Sequence, residues 1–396
     1  MNYYQTKESI LQKLLLAFAF IFPLTVAGGN FIASLIIILW VIDKNIFKKI
    51  ENLYKNSLVR AFFLFFIVHL IGLFWTDNLS WGGEISRKML EFAILFPILI
   101  YIVKFSNKHL LVNIFLAAIS VSVFTSILIW LDLIEPFKNA TLSNPTPFAS
   151  HITHTPFVAF GAFIIGSHIL NFYKTYNNLK NLFLLLLFLT FSLNIFITGG
   201  RAGQIVYIVL MGFLFFSKMK LSIRSVIIFS LTLMTTLFLV FQTSPIFKAR
   251  IHSAINDIQT LSSNKTSSVG ARITYAQNTL RVFLKNPIFG VGTGDFPKEY
   301  SKVKKEFSPG SLDTRNPHNM YLLILAQLGV LGLYFFIVIF YRLYRSLPED
   351  NPYFRQLGMG LIIYFTVINF SDSYLLGHFT SFQFIFFSAI LSKNLE

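Results

Sequence analysis

Cysteine is absent from the 396 residues, which excludes disulfides, thiol nucleophiles and cysteine-ligated metals, although it carries no information on compartment. No Walker loop, His-Glu-x-x-His or Asp-x-Asp occurs, so soluble nucleotide donors and metal-dependent hydrolysis are disfavoured. Charge is sparse, at 13% of residues against 55% hydrophobic. Apolar runs of about eighteen residues or more recur along the chain, the mark of a polytopic membrane protein. Phenylalanine is abundant, with 47 residues.

Hydropathy places membrane helices near residues 11–26, 31–42, 58–75, 87–103, 110–130, 157–172, 181–198, 204–217, 223–241, 317–344, 353–370 and 374–392. The expectation is an all-α polytopic protein of about twelve transmembrane helices, with a large helical loop between the ninth and tenth. The chain then divides into residues 1–241 with nine spans, the loop 242–316, and residues 317–396 with three more. The second and eighth segments are short for a hydrocarbon core of about 30 Å. Lys7 and Lys13 ahead of an apolar run resemble a signal peptide, but the spans that follow favour an uncleaved first helix.

The net charge of +16 would suggest nucleic acid in a soluble domain. Its distribution argues otherwise. With the N-terminus inside, Lys and Arg crowd the cytoplasmic segments, Lys44, Lys48, Lys49, Lys55 and Arg60 among them. The short outer segments hold only Arg87, Lys88, Lys138 and Arg201. That asymmetry follows the positive-inside rule, predicts cytoplasmic termini and an external loop, and leaves no need for a nucleic-acid partner.

Arg201 lies in Thr198-Gly-Gly-Arg-Ala-Gly203, a tight break between two spans. A lone boundary arginine snorkels to lipid phosphates as often as it does anything else. Here the glycines permit close backbone passage and left-handed turns, which predicts an arginine fixed in a re-entrant break facing the protein interior. In the loop, residues 245–261 carry apolar positions on one helical face, a helix suited to the membrane surface. Residues 262–268 form a polar breaker, and 269–284 read as a second helix with Arg272 and Arg281 near its ends, stopped by Asn286-Pro287. Gly290-Val-Gly-Thr-Gly294 lacks the strand and helix of a dinucleotide site and reads as a turn.

Asn316-Pro317 reads as N-cap and first helical residue, which puts His318 in the first turn of the tenth span. There the helix dipole favours neutral imidazole, a usable general base, and favours anions nearby. The bland alternative is a histidine that only helps cap the helix. His151 and His154 have a metal-compatible spacing without a third ligand close in sequence, so metal binding is disfavoured. Asp77 and Glu84 in an outer loop are more commonly solvated than catalytic, and Glu91 and Asp132 lie near span ends. Arginines beside a histidine above a membrane bundle suit an anionic lipid, and guanidinium forks pair well with pyrophosphate.

The ordered motifs Thr198-Gly-Gly-Arg-Ala-Gly203, Ser268-Val-Gly-Ala-Arg272, Pro287-Ile-Phe-Gly-Val-Gly-Thr-Gly-Asp-Phe296, Asn316-Pro-His-Asn-Met-Tyr-Leu322 and Gly329-Val-Leu-Gly332 resemble the bacterial O-antigen ligase and polymerase superfamily. The resemblance covers roughly residues 194–333, and within the superfamily it leans toward the ligases. It implies a GT-C-like membrane glycosyltransferase that works without metal or other cofactor and inverts the anomeric carbon. The implied donor is a glycan on undecaprenyl diphosphate, the acceptor is lipid A-core oligosaccharide, and the active site is at the periplasmic face of the inner membrane. By position, Arg201 and Arg272 match the diphosphate-binding arginines and His318 the base that deprotonates the acceptor. Arg315, Asn319 and Arg281 are expected as supporting contacts. Tyr275 stands where relatives often have tryptophan. A polysaccharide polymerase is the alternative, and a transporter of lipid-linked oligosaccharide a weaker one, since no inverted repeat is visible.

Overall fold

In lipid, a backbone must satisfy its own polar groups, so apolar runs of this length can only become helices. The computed structural model describes residues 3–43, 45–138, 140–259 and 267–393. Lys44 and most of the 262–268 breaker lie outside them. The first part of the chain forms α1 (Tyr3–Ile21), α2 (Val26–Val41), α3 (Ile46–Lys55), α4 (Ser57–Ile71), α5 (Leu79–Ile102), α6 (Lys108–Trp130), α7 (His151–Phe172), α8 (Asn178–Ile197), α9 (Arg201–Lys218) and α10 (Ile223–Thr243). Then follow α11 (Pro245–Gln259), α12 (Ser268–Lys285), α13 (Phe296–Phe307), α14 (Met320–Ser346), α15 (Pro352–Ile368) and α16 (His378–Leu391). Among the described residues there is no strand, only an isolated bridge between Thr141 and Asn144.

The chain is thus an all-α, multi-pass membrane protein. Among the described residues six single helices, α6 to α10 and α14, are long and apolar enough to cross a bilayer. Some of the others are short: α16, with 14 residues, reaches about 21 Å. Phenylalanine supplies much of the packing between helices. Phe62 stacks on Phe96 at 3.9 Å, and Phe22 contacts Phe115, Phe382 and Phe386. Ring-to-ring contact of this kind gives directional packing where lipid removes the hydrophobic drive between helices.

Three sequence expectations need correction. Val26 opens α2 instead of closing the first span, because Pro23 follows the last turn of α1 and the Thr25 hydroxyl accepts from the Gly28 amide. The loop contains a further helix, α13, whose Phe296, Tyr300 and Val303 are buried at helical spacing. Gly290 to Gly294 is more than a turn. It wedges into α14, which is broken at Gly329 with φ 65° and ψ −163°. The amides of Val291 and Gly292 donate to the carbonyls of Ala326 and Gln327, at 2.9 and 3.0 Å. On the other side of the break, the Val330 amide donates to the Pro287 carbonyl at 2.9 Å. The wedge therefore satisfies the backbone groups that the break exposes. Only glycine fits at Gly290 and Gly329: both have positive φ, and a Cβ on either would lie 2.2 Å from backbone of the other segment of the splice.

A second apolar cluster then ties α12 and α13 to α14. Ala271, Tyr275 and Val282 of α12 pack with Phe296, Tyr300 and Val303 of α13 and with Leu323 and Ala326 of α14. The splice and this cluster together fix the first turn of α12 against the start of α14.

Candidate functional site

The N-terminus of α9 rests directly on the first turns of α7. A Cβ at Gly203 would stand 2.5 Å from the carbonyl carbon of Thr155 and 2.6 Å from the Pro156 nitrogen, so glycine is what lets the two backbones touch. The left-handed turn expected at Gly199, Gly200 or Gly203 does not form; Gly200 caps the helix at φ −85°. Close approach is the reason for these glycines. Arg201 becomes the first residue of α9 and is half-buried, and its guanidinium donates to the carbonyl of Arg250 at 3.3 Å.

Arg250 comes from α11, and its guanidinium lies against Gly199, where an added Cβ would meet it at 2.6 Å. Arg272 enters from the second turn of α12, whose start is capped by the Ser267 hydroxyl on the Gly270 amide. The three arginines line a small polar well of about 70 Å³ with His151, Ser268, Ser371 and Tyr374. Among the described residues none of the three forms an ion pair. Three guanidinium groups sharing a half-enclosed space, with the Asp257 carboxylate acting on Arg201, make an anion site. Asn144 braces the rim: its Oδ1 accepts from the Gly199 amide at 3.0 Å, which leaves its Nδ2 to donate to His151 Nδ1 at 3.1 Å.

The well opens into a groove of about 600 Å³ that shares Arg201, Ala202, Ser268, Arg272 and Ser371 with it. Ile205, Ile273, Leu322, Val367 and Phe370 make the groove wall mostly apolar. His318 stands on that wall beside Asn319. One surface therefore joins a strip suited to a lipid chain, a cationic well and an imidazole.

His318 is not in the first turn of a helix. It precedes the N-cap, with φ 53°, and the cap is Asn319, whose side chain accepts from the Leu322 amide at 3.0 Å. Asn316 is unavailable as a cap because its side chain is committed elsewhere. Its Oδ1 accepts from the His318 amide at 2.9 Å and from the Ser373 hydroxyl at 2.7 Å, while its Nδ2 donates to Asp372 at 2.7 Å. A left-handed non-glycine residue costs on the order of 1–3 kcal/mol, and such strain clusters at functional positions. Here the Asn316 clamp holds it in place.

The ring of His318 is fixed from two sides. Tyr275 stacks on it with centroids 5.9 Å apart and planes 27° apart. Its Nδ1 lies 3.3 Å from Oδ2 of Asp372, ion-pair distance without the alignment of a full hydrogen bond. Burial pushes the Asp372 carboxyl up, but His318, the Ser373 amide and Asn316 outweigh that and hold it below the usual carboxylate value. Asp372 is therefore an anion facing the imidazole.

The other predicted residues lie elsewhere. Arg315 sits over the Trp81 ring at 5.4 Å, and Arg281 sits over Phe307 at 4.6 Å, roughly 13 Å further along α12 than Arg272. Neither lines the groove. His154 is bonded to Ser122 and Asn194 in a buried network, so it diverges from His151. Asp77 pairs with Lys298, Glu84 with Lys88, and Glu91 with His378. Sequence reasoning missed Asp372 and Arg250 as site residues.

Residues 185–337 match the O-antigen ligase family, a stretch that takes in all three arginines of the well and His318. This segment is similar to O-antigen ligase-family domains. An uncharacterized protein of Haemophilus influenzae is 27% identical over 208 residues, which is 49% of this chain and 52% of that protein. The chain thus spans about half the length of the curated relative it matches. Asp372 lies beyond the O-antigen ligase match, so its contact with His318 is known here from the geometry.

Proposed function

We propose that this O-antigen ligase-family protein transfers a glycan from undecaprenyl diphosphate to lipid A-core oligosaccharide, at the periplasmic face of an inner-membrane bundle with about twelve spans and cytoplasmic termini. The observation that carries this reading is the single surface on which an apolar groove, a well of arginines and a clamped histidine adjoin. The polyprenyl chain suits the groove and its diphosphate the well, where Arg201 and Arg272 hold it by paired N–H donors.

His318 Nε2 takes the proton of the acceptor hydroxyl as its oxygen bonds to the anomeric carbon. The bond from that carbon to the diphosphate oxygen breaks, and its electron pair leaves with the lipid diphosphate. Asp372, facing Nδ1, orients the ring and stabilises the imidazolium that forms. The arginines stabilise charge growing on the leaving group, and losing one such donor typically costs about 3 to 4 kcal/mol of transition-state stabilisation.

Purified protein given a lipid-linked glycan together with lipid A-core, or with a second lipid-linked unit, tests the choice of acceptor. Product on lipid A-core supports ligation. Product lengthened on undecaprenyl diphosphate overturns it in favour of polymerisation.

A further inference from the structure

We propose that Arg250 is a third phosphate ligand, and that the well is matched to the charge of the departing lipid diphosphate more closely than to that of the donor. The proposal rests on the lipid-diphosphate reading above and adds to it a residue and a reason for the number of arginines.

The charge count is elementary. A donor diphosphate esterified at both ends has one ionised oxygen per phosphorus, about −2 in all. When the glycosidic bond breaks, the electron pair stays on the terminal phosphate oxygen and the charge moves toward about −3, since the second ionisation of a phosphate monoester lies near pH 6. Arginine stays protonated at any working pH, so Arg201, Arg250 and Arg272 present three fixed positive charges. Even with the Asp257 carboxylate drawing on Arg201, the guanidinium of Arg250, which is in no ion pair among the described residues, adds positive charge that a donor of about −2 needs less than a product of about −3. It therefore acts most where charge is developing and least in the ground state.

Arg250 is placed for this by contacts independent of its charge. Phe247, one turn before it, is buried and meets Phe196 edge-on at 5.6 Å, and the Ser244 hydroxyl bonds the Phe196 carbonyl at 3.0 Å. Arg201 holds the Arg250 carbonyl, and Gly199 leaves room for the guanidinium over the backbone. A surface arginine that only snorkels has no need of a glycine beneath it. Gly199 also provides a test that leaves the charge intact, because a methyl there would meet only the flexible end of the Arg250 side chain.

The experiment uses the purified full chain in lipid nanodiscs, with two probes: a polyprenyl diphosphate and the same lipid diphosphate carrying a glycan. For Arg250→Gln the expected result is a loss of about tenfold or more in affinity for the bare diphosphate, with the glycan-bearing lipid affected about threefold or less. The same variant should lower kcat by about tenfold with KM nearly unchanged. Gly199→Ala should show a smaller loss of the same kind, silent in the Arg250→Gln background, and Arg250→Lys should recover part of the bare-diphosphate affinity. Equal loss for the two probes, no loss for either, or an additive Gly199→Ala effect would overturn the role of Arg250. Failure of the wild-type protein to bind either lipid would instead overturn the functional reading on which it rests.

Discussion

Nδ1 of His318 and Oδ2 of Asp372 stand 3.3 Å apart although the two residues belong to separate segments, one before α14 and one after α15. Asn316 joins them a second time, holding the His318 amide with its oxygen and the Asp372 carboxylate with its nitrogen. The imidazole and its carboxylate are therefore set by one small network.

Asp372→Asn should lower glycan transfer by about 10²-fold, the low end of what general-base assistance contributes, with KM for the donor little changed. A steady-state comparison of the purified variant with wild type checks this.

The same carboxylate predicts a pH effect on stability. Its folded pKa is depressed below 3.8, so its stabilising contribution is complete above that value and is lost as pH falls through the lower, folded one. Thermal melts from pH 6 down to pH 3 should therefore show a smaller gap between wild type and Asp372→Asn at the acid end.

The two asparagines around His318 should separate. Asn319→Ala removes the cap of α14 and should cost about 1 kcal/mol of stability. Asn316→Ala releases His318 and Asp372 together and should reduce kcat more than Asn319→Ala does. Parallel thermal melts and transfer assays distinguish the two effects.

Gly329→Ala should destabilise by at least about 2 kcal/mol, since the residue has φ 65° and the new methyl would lie 2.2 Å from the Ile288 carbonyl oxygen. A thermal melt that is unchanged would contradict the splice between α14 and the 287–292 segment.

The helices were legible because lipid leaves apolar runs no other regular structure. The break in α14 was not, since Leu328-Gly-Val-Leu-Gly332 reads as uninterrupted apolar sequence and the groups that satisfy it come from another segment. Arg201, Arg272 and His318 could be found from their motifs, and the structure brings them to one groove. The cap was misplaced because Asn-Pro has a strong local meaning, which the contacts of Asn316 with Asp372 and Ser373 override. Asp372 left a readable trace as the one acid between residues 351 and 395 in an apolar setting, where an ionisable group is a functional suspect by default. Arg250 left none, because it sits on a helix with Lys248 and His252 and its place depends on the approach of Gly199.

The most direct test of the account is transfer by purified His318→Ala protein supplied with a lipid-diphosphate glycan and lipid A-core. Abolished transfer by a variant that still inserts, melts as wild type does and binds the lipid diphosphate is the predicted result. Undiminished transfer would contradict the role of His318 as the base.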